Sequence, residues 1–513
     1  MPRRVSDTRT RHRRVAFDVG ILWAAQLSIA LVTFLSQILL TRSLHQEGYG
    51  VLATAVASVG LVATVSGFGI GPFWLRIFGE EGWGGHRWVR PSFLACGLSV
   101  GLAFLGIALW AWSGAFAGPV AVSMLLLMGL VIGQASASLG GAVLQLEGKY
   151  RKLAGIQLTP YICRMCVALG ILLGGGGYQH ASIGFTVSAL AGASLFLPAL
   201  KRAVMGRMEL VGHVEPLESV SSSTNEHVPT VARVIRGSWP FALSALFYLV
   251  YFQIDISLLG ILLSSSDAGV YSIAAQVMIV IYMLPTVGYQ KFLMPHIHRW
   301  AVHDKTRLWR IFHSTMNAVF ALAIPLMAVT ASVSDRVVPA LFGSGFVRTG
   351  YALVVLSLNI PIRFYATALG SLLYTGNNMP SKVAYQGIAA SVNVCLNLLL
   401  IPRLGIVGAA AATVATELTL MLLYMQRVHS HVFDGRRLRE LMPERPLLLF
   451  ATIFACGVAI LAAKPDPLLQ LLLLGAGAVV GTILIMGQVK RLRRIGAVAD
   501  AQQTNGDHGG GCS

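Results

Sequence analysis

Long apolar runs recur along the whole chain and limit what it can fold into. A helix needs about 20 apolar residues to cross the hydrocarbon core of a bilayer. Only 12% of the 513 residues are charged, against about 25% in soluble domains. The sequence therefore predicts an all-α polytopic membrane protein with about 14 transmembrane helices. The predicted spans are residues 18-41, 50-73, 92-113, 117-141, 158-176, 181-199, 238-262, 268-289, 312-333, 350-374, 384-401, 405-425, 446-463 and 467-487.

The positions of the basic residues predict how these spans are oriented. Lys and Arg accumulate in cytoplasmic loops, and cytoplasmic N- and C-termini would place most of the 39 basic residues on that side. Two lie within spans, Arg164 and Arg363. The net charge of +18 is then explained by loops beside anionic membrane lipids, so no nucleic-acid partner is predicted.

Two segments recur in the same order at nearly the same spacing. "LLTRSLHQEGYGVLATA" from Leu39 aligns with "LLGILLSSSDAGVYSIA" from Leu258, which places Gly50 against Gly269. Further along, "GKYRKLAGIQLTPYICR" resembles "GNNMPSKVAYQGIAASVN". Spans 1 to 6 and 7 to 12 are therefore predicted to be copies in the same orientation, related by an axis along the membrane normal.

The repeat and the polar loops divide the chain into six predicted parts. The longest loop contains "SVSSSTNEHVPT", a composition typical of linkers. The parts are a basic cytoplasmic tail (1-17), an N-lobe of spans 1 to 6 (18-199), a cytoplasmic linker (200-237), a C-lobe of spans 7 to 12 (238-425), spans 13 and 14 (426-487) and a cytoplasmic tail (488-513).

Four motifs carry a family resemblance. An Asp, an apolar run, a short polar turn and "AGVYSIAAQ" open the second half, and "HQEGYGVLATA" is the matching turn after span 1. "SVNVCLNLLLIPRLGIVGAAAATVATEL" covers spans 11 and 12, and "LFGSGF" follows span 9. Together they resemble polysaccharide flippases of the Wzx type, for O-antigen or exopolysaccharide, in the MATE and MurJ-like (MOP) exporter superfamily. The resemblance implies a bacterial inner-membrane exporter with two six-helix lobes, MATE-like, around a central cavity, plus two C-terminal helices.

The resemblance also implies a function. A flippase of this kind moves undecaprenyl-pyrophosphate-linked oligosaccharide across the membrane by alternating access, without enzymatic activity, alongside a polysaccharide polymerase and glycosyltransferases. A peptidoglycan lipid-precursor flippase and a MATE-type drug or cation antiporter remain alternatives. A membrane polysaccharide polymerase or glycosyltransferase is the alternative from a different class. It is disfavoured because the predicted outside loops are mostly very short and the predicted cytoplasmic loops lack a cluster of carboxylates or histidines.

Polar residues inside spans are the candidates for contact with an anionic head group. A guanidinium can pair bidentately with phosphate oxygens, which makes Arg363 and Arg164 the first candidates. Asn359 lies four residues before Arg363, on the same helical face. Asn393 and Asn397 share one face of span 11. The alternatives are ion pairs with a carboxylate, snorkelling, and hydrogen bonds between helices.

Residues at span ends and acidic residues complete the candidate set. Arg42 and Arg76 could line a cavity mouth, although binding to lipid head groups is the commoner role of such residues. Asp255 and Glu417 lie within spans, where a carboxylate is expensive and is often functional. They are candidates for coupling to protons or sodium, and the alternative is an ion pair with an intramembrane arginine.

No metal site and no cofactor is predicted. His296, His298 and His303 come closest to a ligand cluster, but Lys and Arg surround them. Neighbouring positive charges oppose a bound metal ion.

Overall fold

Helices make up every regular element of the described chain. The computed structural model describes residues 4–211, 229–288, 305–373 and 379–432. The helices are α1 (Arg4–Ser66), α2 (Ile70–Glu81), α3 (Val89–Trp112), α4 (Gly118–Leu126), α5 (Gly129–Leu146), α6 (Tyr150–Gly174), α7 (Tyr178–Val204), α8 (Val231–Leu262), α9 (Ser265–Gly288), α10 (Lys305–Phe342), α11 (Thr349–Ser357), α12 (Asn359–Leu372) and α13 (Met379–His431). Two 3-10 turns, Gly82–Trp88 and Ser344–Phe346, complete the list.

The lengths and composition of these helices confirm a polytopic membrane protein. In the ranges just given, eight helical stretches are long and apolar enough to cross a membrane, or nine if one bent pair counts as a span. Two of them, Gly20–Trp112 and Pro380–His431, are long enough to hold several predicted spans. Predicted spans 1 to 12 coincide largely with these helices, although three of them are interrupted and the last residues of spans 8 and 10 lie outside the described ranges. Predicted spans 13 and 14, the tail 488-513 and the histidine loop lie outside the described residues.

Two kinks divide long helices at predicted span boundaries. Helix α1 is non-helical at His45 (φ 54°, ψ −175°), between predicted spans 1 and 2. Helix α13 is non-helical at Gly405 (φ 61°, ψ −137°), between predicted spans 11 and 12. Glycine adopts a positive φ without steric cost, whereas histidine adopts it rarely. Contacts with the rest of the fold therefore stabilise His45 in this unfavourable backbone conformation.

Three spans that the sequence predicts as continuous are interrupted. The span predicted at 50-73 is split into α1 and α2 at residues 67–69. The span predicted at 117-141 is split into α4 and α5 at Leu127 and Met128. The span predicted at 350-374 is split into α11 and α12 at Leu358, with a bend of 46°. Pro361 explains the break at Leu358, because it has no N–H to donate to the preceding turn. At the break between α4 and α5, the Thr186 hydroxyl donates to the Leu126 carbonyl at 2.5 Å.

The first of two compact units consists of Met1–Gln276, Pro339–Val347 and Ala390–Ala409. Its described core includes buried aromatic residues of α2. Trp74 is fully buried and its indole N–H donates to the Ser92 hydroxyl at 3.0 Å. Burial of large aromatic side chains is the main apolar contribution to such a core.

The glycines that the internal repeat aligns lie against each other in this unit. A Cβ added to Gly269 would lie 2.7 Å from the Gly50 Cα, and one added to Gly50 would overlap the Ser265 carbonyl. Nearby, the Gln46 amide donates to the Ser266 hydroxyl at 2.5 Å. Glycine at both positions therefore allows the backbones of α1 and α9 to meet. The contact agrees with a repeat, while the lobe boundaries stay a prediction.

An ion-pair cluster ties α5 to α7 at the end of α5. The buried Glu147 carboxylate accepts hydrogen bonds from Arg202 at 3.0 and 2.7 Å and lies 3.1 Å from the Lys149 ammonium. Burial raises the pKa of the Glu147 carboxyl, but the bonds from Arg202 and Lys149 outweigh it and lower that pKa. Removal of one partner from such a buried cluster leaves an uncompensated charge.

The second unit consists of Val277–Val338, Arg348–Ala389 and Ala410–Ser513. Aromatic rings pack between its described helices. Phe320 and Tyr365 lie with ring centroids 5.5 Å apart, and Tyr385 and Tyr424 lie 6.3 Å apart. This unit also contains Arg363, which is half-buried, and Lys382, which is buried.

Candidate functional site

A cavity of about 670 Å³ lies among the helices of the first unit. We call it the Arg164 cavity, because Arg164 is the one charged residue among those that line it. Its lining residues are Gln26, Ile29, Val56, Gly60, Ala63, Thr64, Leu130, Gly133, Gln134, Ala137, Ser138, Ile156, Gln157, Pro160, Tyr161, Arg164, Ala189, Gly192, Ala193, Phe196, Leu249 and Gln253. No carboxylate is among these described residues, which together carry a net positive charge.

Helix α6 presents its polar residues to this cavity. Gln157, Tyr161 and Arg164 are spaced at i, i+4 and i+7, which places them on one helical face. Pro160 lies on the same helix and packs against Gly192 of α7, where a Cβ would overlap the proline ring. Small residues at such positions let two helices approach closely. The local sequence thereby fixes α6 with its polar face toward the cavity.

The Arg164 guanidinium is held by aromatic rings. Its Cζ lies 4.8 Å from the centroid of Phe185 and 5.5 Å from that of Tyr161. Its Nε is buried and has no hydrogen-bond partner in the described part of the chain. Nor does any carboxylate in those ranges form an ion pair with Arg164. Cation-π contacts offset part of the desolvation of a guanidinium, but they leave its hydrogen-bond donors available to an anion.

Four glutamines from four helices share the cavity with Arg164. Gln26 belongs to α1, Gln134 to α5, Gln157 to α6 and Gln253 to α8. The Gln26 amide donates to the Gln157 carbonyl oxygen at 3.4 Å, a long hydrogen bond. The cavity therefore combines one cation with several neutral amides.

Asp255 forms a second polar cluster in the first unit. Its carboxylate accepts from the Tyr271 hydroxyl at 2.8 Å and from the Asn397 amide at 2.7 Å. The Asn397 amide also contacts the Asn393 side-chain oxygen at 3.1 Å. Asp255, Asn393 and Asn397 are all at most 1% exposed. Hydrogen bonds to a carboxylate offset the cost of burying it, so the structure brings together three of the predicted residues.

A third polar cluster lies in the second unit. Arg363 forms an ion pair with Glu417, and its Cζ lies 5.6 Å from the ring centroid of Tyr282. The Tyr282 hydroxyl accepts from the Asn359 amide at 2.8 Å. Lys382 is 8% exposed and its charge interacts with that of Arg363. The Oε2 of Glu417 has no hydrogen-bond partner in the described chain.

Arg42 and Arg76 lie away from the Arg164 cavity. The Arg42 guanidinium donates to the carbonyls of Leu341 at 2.9 Å and Ala340 at 2.6 Å. Arg76 pairs with Glu80 at 3.1 Å, and both side chains are more than half exposed. An exposed ion pair contributes about 0–1 kcal/mol to stability. The two hydrogen bonds from Arg42 connect the turn after span 1 to Ala340 and Leu341, where the "LFGSGF" segment begins.

The sequence prediction missed the glutamines and Lys382. Gln157 lies in the repeated segment "GKYRKLAGIQLTPYICR", but it is not among the predicted site residues. Lys382 lies in a predicted loop, whereas the structure places it in α13. Glutamines spaced far apart in sequence give no local signal that they meet. A search for amides at one helical face, such as Gln157 with Arg164 on α6, could have found one of them.

Comparison with known proteins identifies the family. Residues 15–300 match the family described as "Polysaccharide biosynthesis protein". The chain belongs to this family. It is 24% identical over 397 residues to the "Probable low-salt glycan biosynthesis flippase Agl15" of Haloferax volcanii, across 76% of this chain and 79% of that protein. It is 30% identical to the "Probable flippase AglR" of the same organism, over 32% of this chain and 35% of that protein.

Solved structures confirm the fold of this polysaccharide biosynthesis protein. A lipid II flippase, MurJ, in an inward closed conformation aligns with a TM-score of 0.66 at 11% identity, over 92% of this chain and 98% of that one. A MATE family multidrug resistance transporter of the MOP superfamily, inward-facing, aligns at 0.58 and 14% identity, over 80% and 95%. The fold that the resemblance implies, like that of MurJ and MATE transporters, is confirmed. Its relatives are named flippases and transporters, not enzymes.

Proposed function

We propose that this flippase moves a polyprenyl-pyrophosphate-linked oligosaccharide, built on undecaprenyl, from the cytoplasmic to the outer leaflet of a bacterial inner membrane. Its N- and C-termini lie in the cytoplasm. Glycosyltransferases supply the lipid-linked oligosaccharide and a polysaccharide polymerase consumes it. The observation that carries the proposal is the Arg164 guanidinium, which lines a cavity with no carboxylate partner in the described chain.

The charge of Arg164 favours an anionic cargo. A cation within a membrane-spanning helix is expensive unless it has a partner. The aromatic rings of Phe185 and Tyr161 supply only part of that stabilisation. A pyrophosphate would supply the rest, because its oxygens match the fork of guanidinium N–H groups. Arg363 and Lys382 are proposed to give a second cationic contact, with Asn359 beside them.

The cavity is a poor match for a cationic drug. Its lining residues include no Asp or Glu, and recognition of a cation in a membrane cavity relies on carboxylates. This observation favours the flippase over the antiporter alternative. A peptidoglycan lipid precursor carries the same pyrophosphate as a lipid-linked oligosaccharide. The charge of Arg164 therefore does not distinguish these two cargoes, which differ in their sugars.

Alternating access is the proposed mechanism. MATE transporters of the MOP superfamily with this fold are described in inward-facing and outward-facing conformations, at TM-scores of 0.58 and 0.51 to this chain. A cavity that opens to one side at a time lets a polar head group cross without a continuous pore.

The function is tested by the arrival of lipid in the outer leaflet. The purified flippase is placed in proteoliposomes with a pyrophosphate-linked oligosaccharide, a peptidoglycan lipid precursor or a cationic dye. We expect protein-dependent translocation of the first lipid, measured by its accessibility to an added glycosidase. Translocation of the precursor alone would favour a peptidoglycan lipid-precursor flippase. Transport of the dye alone would contradict the proposal.

Asp255 is proposed to couple transport to protons or sodium, with Glu417 as the second candidate. Asp255→Asn keeps the size of the side chain and removes its charge. We expect the variant to accumulate normally and to lose the ion-gradient dependence of translocation, measured in proteoliposomes with imposed proton or sodium gradients. Tyr271→Phe is the control, because it removes one hydrogen bond to Asp255 and keeps the carboxylate. Unchanged gradient dependence in Asp255→Asn would assign Asp255 a structural role.

A further inference from the structure

Four glutamines converge on the Arg164 cavity although they are far apart in sequence. Gln26, Gln134, Gln157 and Gln253 come from α1, α5, α6 and α8. Gln134 and Gln26 are exposed to the cavity side, and the other two are half-buried. Membrane helices bear few such side chains, and polar residues facing a cavity mark a path for cargo.

The amides are largely unused by the protein. Gln134 and Gln253 have no side-chain hydrogen-bond partner within the described ranges. The one bond of the set, from Gln26 to Gln157, is 3.4 Å long. Glutamines that served only to join helices would be expected to have short interhelical bonds. Each free amide offers two donors and an acceptor with two lone pairs.

We propose that these glutamines recognise the sugar next to the pyrophosphate and decide which lipid-linked glycan is transported. This inference rests on the proposed function. A sugar presents hydroxyls that both donate and accept, and neutral amides complement both roles. The single cation, Arg164, lies on the same α6 face as Gln157 and marks the phosphate end. The glutamines occupy the remaining polar wall.

The volume of the cavity limits how much of the lipid-linked oligosaccharide it can hold. A volume of about 670 Å³ lies within the range of pockets for small ligands, about 300–1,000 Å³. It therefore holds the pyrophosphate with the first sugars, and the rest of the oligosaccharide extends beyond it. Small residues such as Gly133, Ala137 and Ser138, which flank Gln134 on α5, leave that room.

The test separates the sugar contact from the phosphate contact. The full-length protein in nanodiscs is titrated with three probes: polyprenyl pyrophosphate without sugar, and the same lipid bearing glucose or N-acetylglucosamine. We expect wild type to bind at least one sugar-bearing lipid more tightly than the bare lipid. Gln134→Met and Gln253→Met keep the shape of the side chain and should each reduce that preference about twofold to tenfold, the effect of one neutral hydrogen bond.

Controls keep the outcome interpretable. Gln145→Met changes a half-buried glutamine of the same α5 that does not line the cavity, and its sugar preference should equal that of wild type. Arg164→Gln should weaken all three probes by the same factor. Equal binding of the three lipids by wild type, or full sugar preference in both glutamine variants, overturns the inference. Failure of wild type to bind any of the lipids would instead contradict the proposed function.

Discussion

Arg164→Ala is expected to abolish translocation of the pyrophosphate-linked oligosaccharide while the protein still accumulates in the membrane. The substitution removes the one charged residue that lines the cavity. A hydrogen bond to a charged group contributes about 1.5–3 kcal/mol, which corresponds to a loss of about tenfold to a hundredfold in affinity. Because Arg164 has no carboxylate partner among the described residues, its removal leaves no buried anion behind. The measurement is translocation in proteoliposomes beside membrane abundance.

Two further variants distinguish a specific contact from a general effect. Arg164→Lys keeps the charge but loses the guanidinium fork, so we expect translocation intermediate between wild type and Arg164→Ala. Arg76→Ala removes a cation that is exposed, pairs with Glu80 and lies outside the cavity. Translocation by Arg76→Ala should equal that of wild type. Normal translocation in Arg164→Ala would refute the role of Arg164 in binding the pyrophosphate.

The spans and the boundaries between them could be predicted because the signals are local. An apolar run of sufficient length specifies a spanning helix wherever it occurs. The kink at Gly405 follows from the freedom of glycine at positive φ, and the sequence places a boundary there. The repeat aligns Gly50 with Gly269, but such an alignment does not predict that the two residues touch, and their contact is a finding of the structure. The features that could be predicted depend on neighbouring residues or on self-similarity.

The breaks within predicted spans 2, 4 and 10 were not predicted. The apolar run continues through Leu127 and through Leu358, so hydropathy gives no sign of either interruption, and only Pro361 marks the second one locally. At the break within span 4, the Leu126 carbonyl is satisfied by Thr186, which is 60 residues away. A helix can end inside a membrane only where another group accepts or donates the freed hydrogen bonds. Such a partner is visible only in three dimensions.

The pairing among the candidate residues could not be predicted from the sequence either. Arg363 and Glu417 were separate candidates, one for cargo and one for ion coupling, and they meet although they are 54 residues apart. Asp255 was expected either to couple ions or to pair with an arginine. Its carboxylate accepts hydrogen bonds from Tyr271 and Asn397. Residue type predicted that these side chains need partners, and the fold determined which partners they have.

Removal of either Arg363 or Glu417 alone is expected to destabilise the second unit. The two form an ion pair, with side chains 13% and 2% exposed. Loss of one partner from a buried pair costs about 3–5 kcal/mol, a large part of a typical stability of about 5–15 kcal/mol. Arg363→Met and Glu417→Leu should each lower the thermal midpoint and the membrane abundance. These quantities are measured by fluorescence-detected size exclusion after heating.

The double variant Arg363→Met/Glu417→Leu separates stability from transport. Apolar replacement of both members of a buried pair is often neutral for stability, so the double variant should regain the abundance that each single variant loses. If Arg363 also contacts the pyrophosphate, translocation should stay low in the double variant, because Lys382 alone supplies a point charge without a guanidinium fork. Recovery of both abundance and translocation would make the pair purely structural. In that case, the proposed cationic contact with cargo would rest on Arg164.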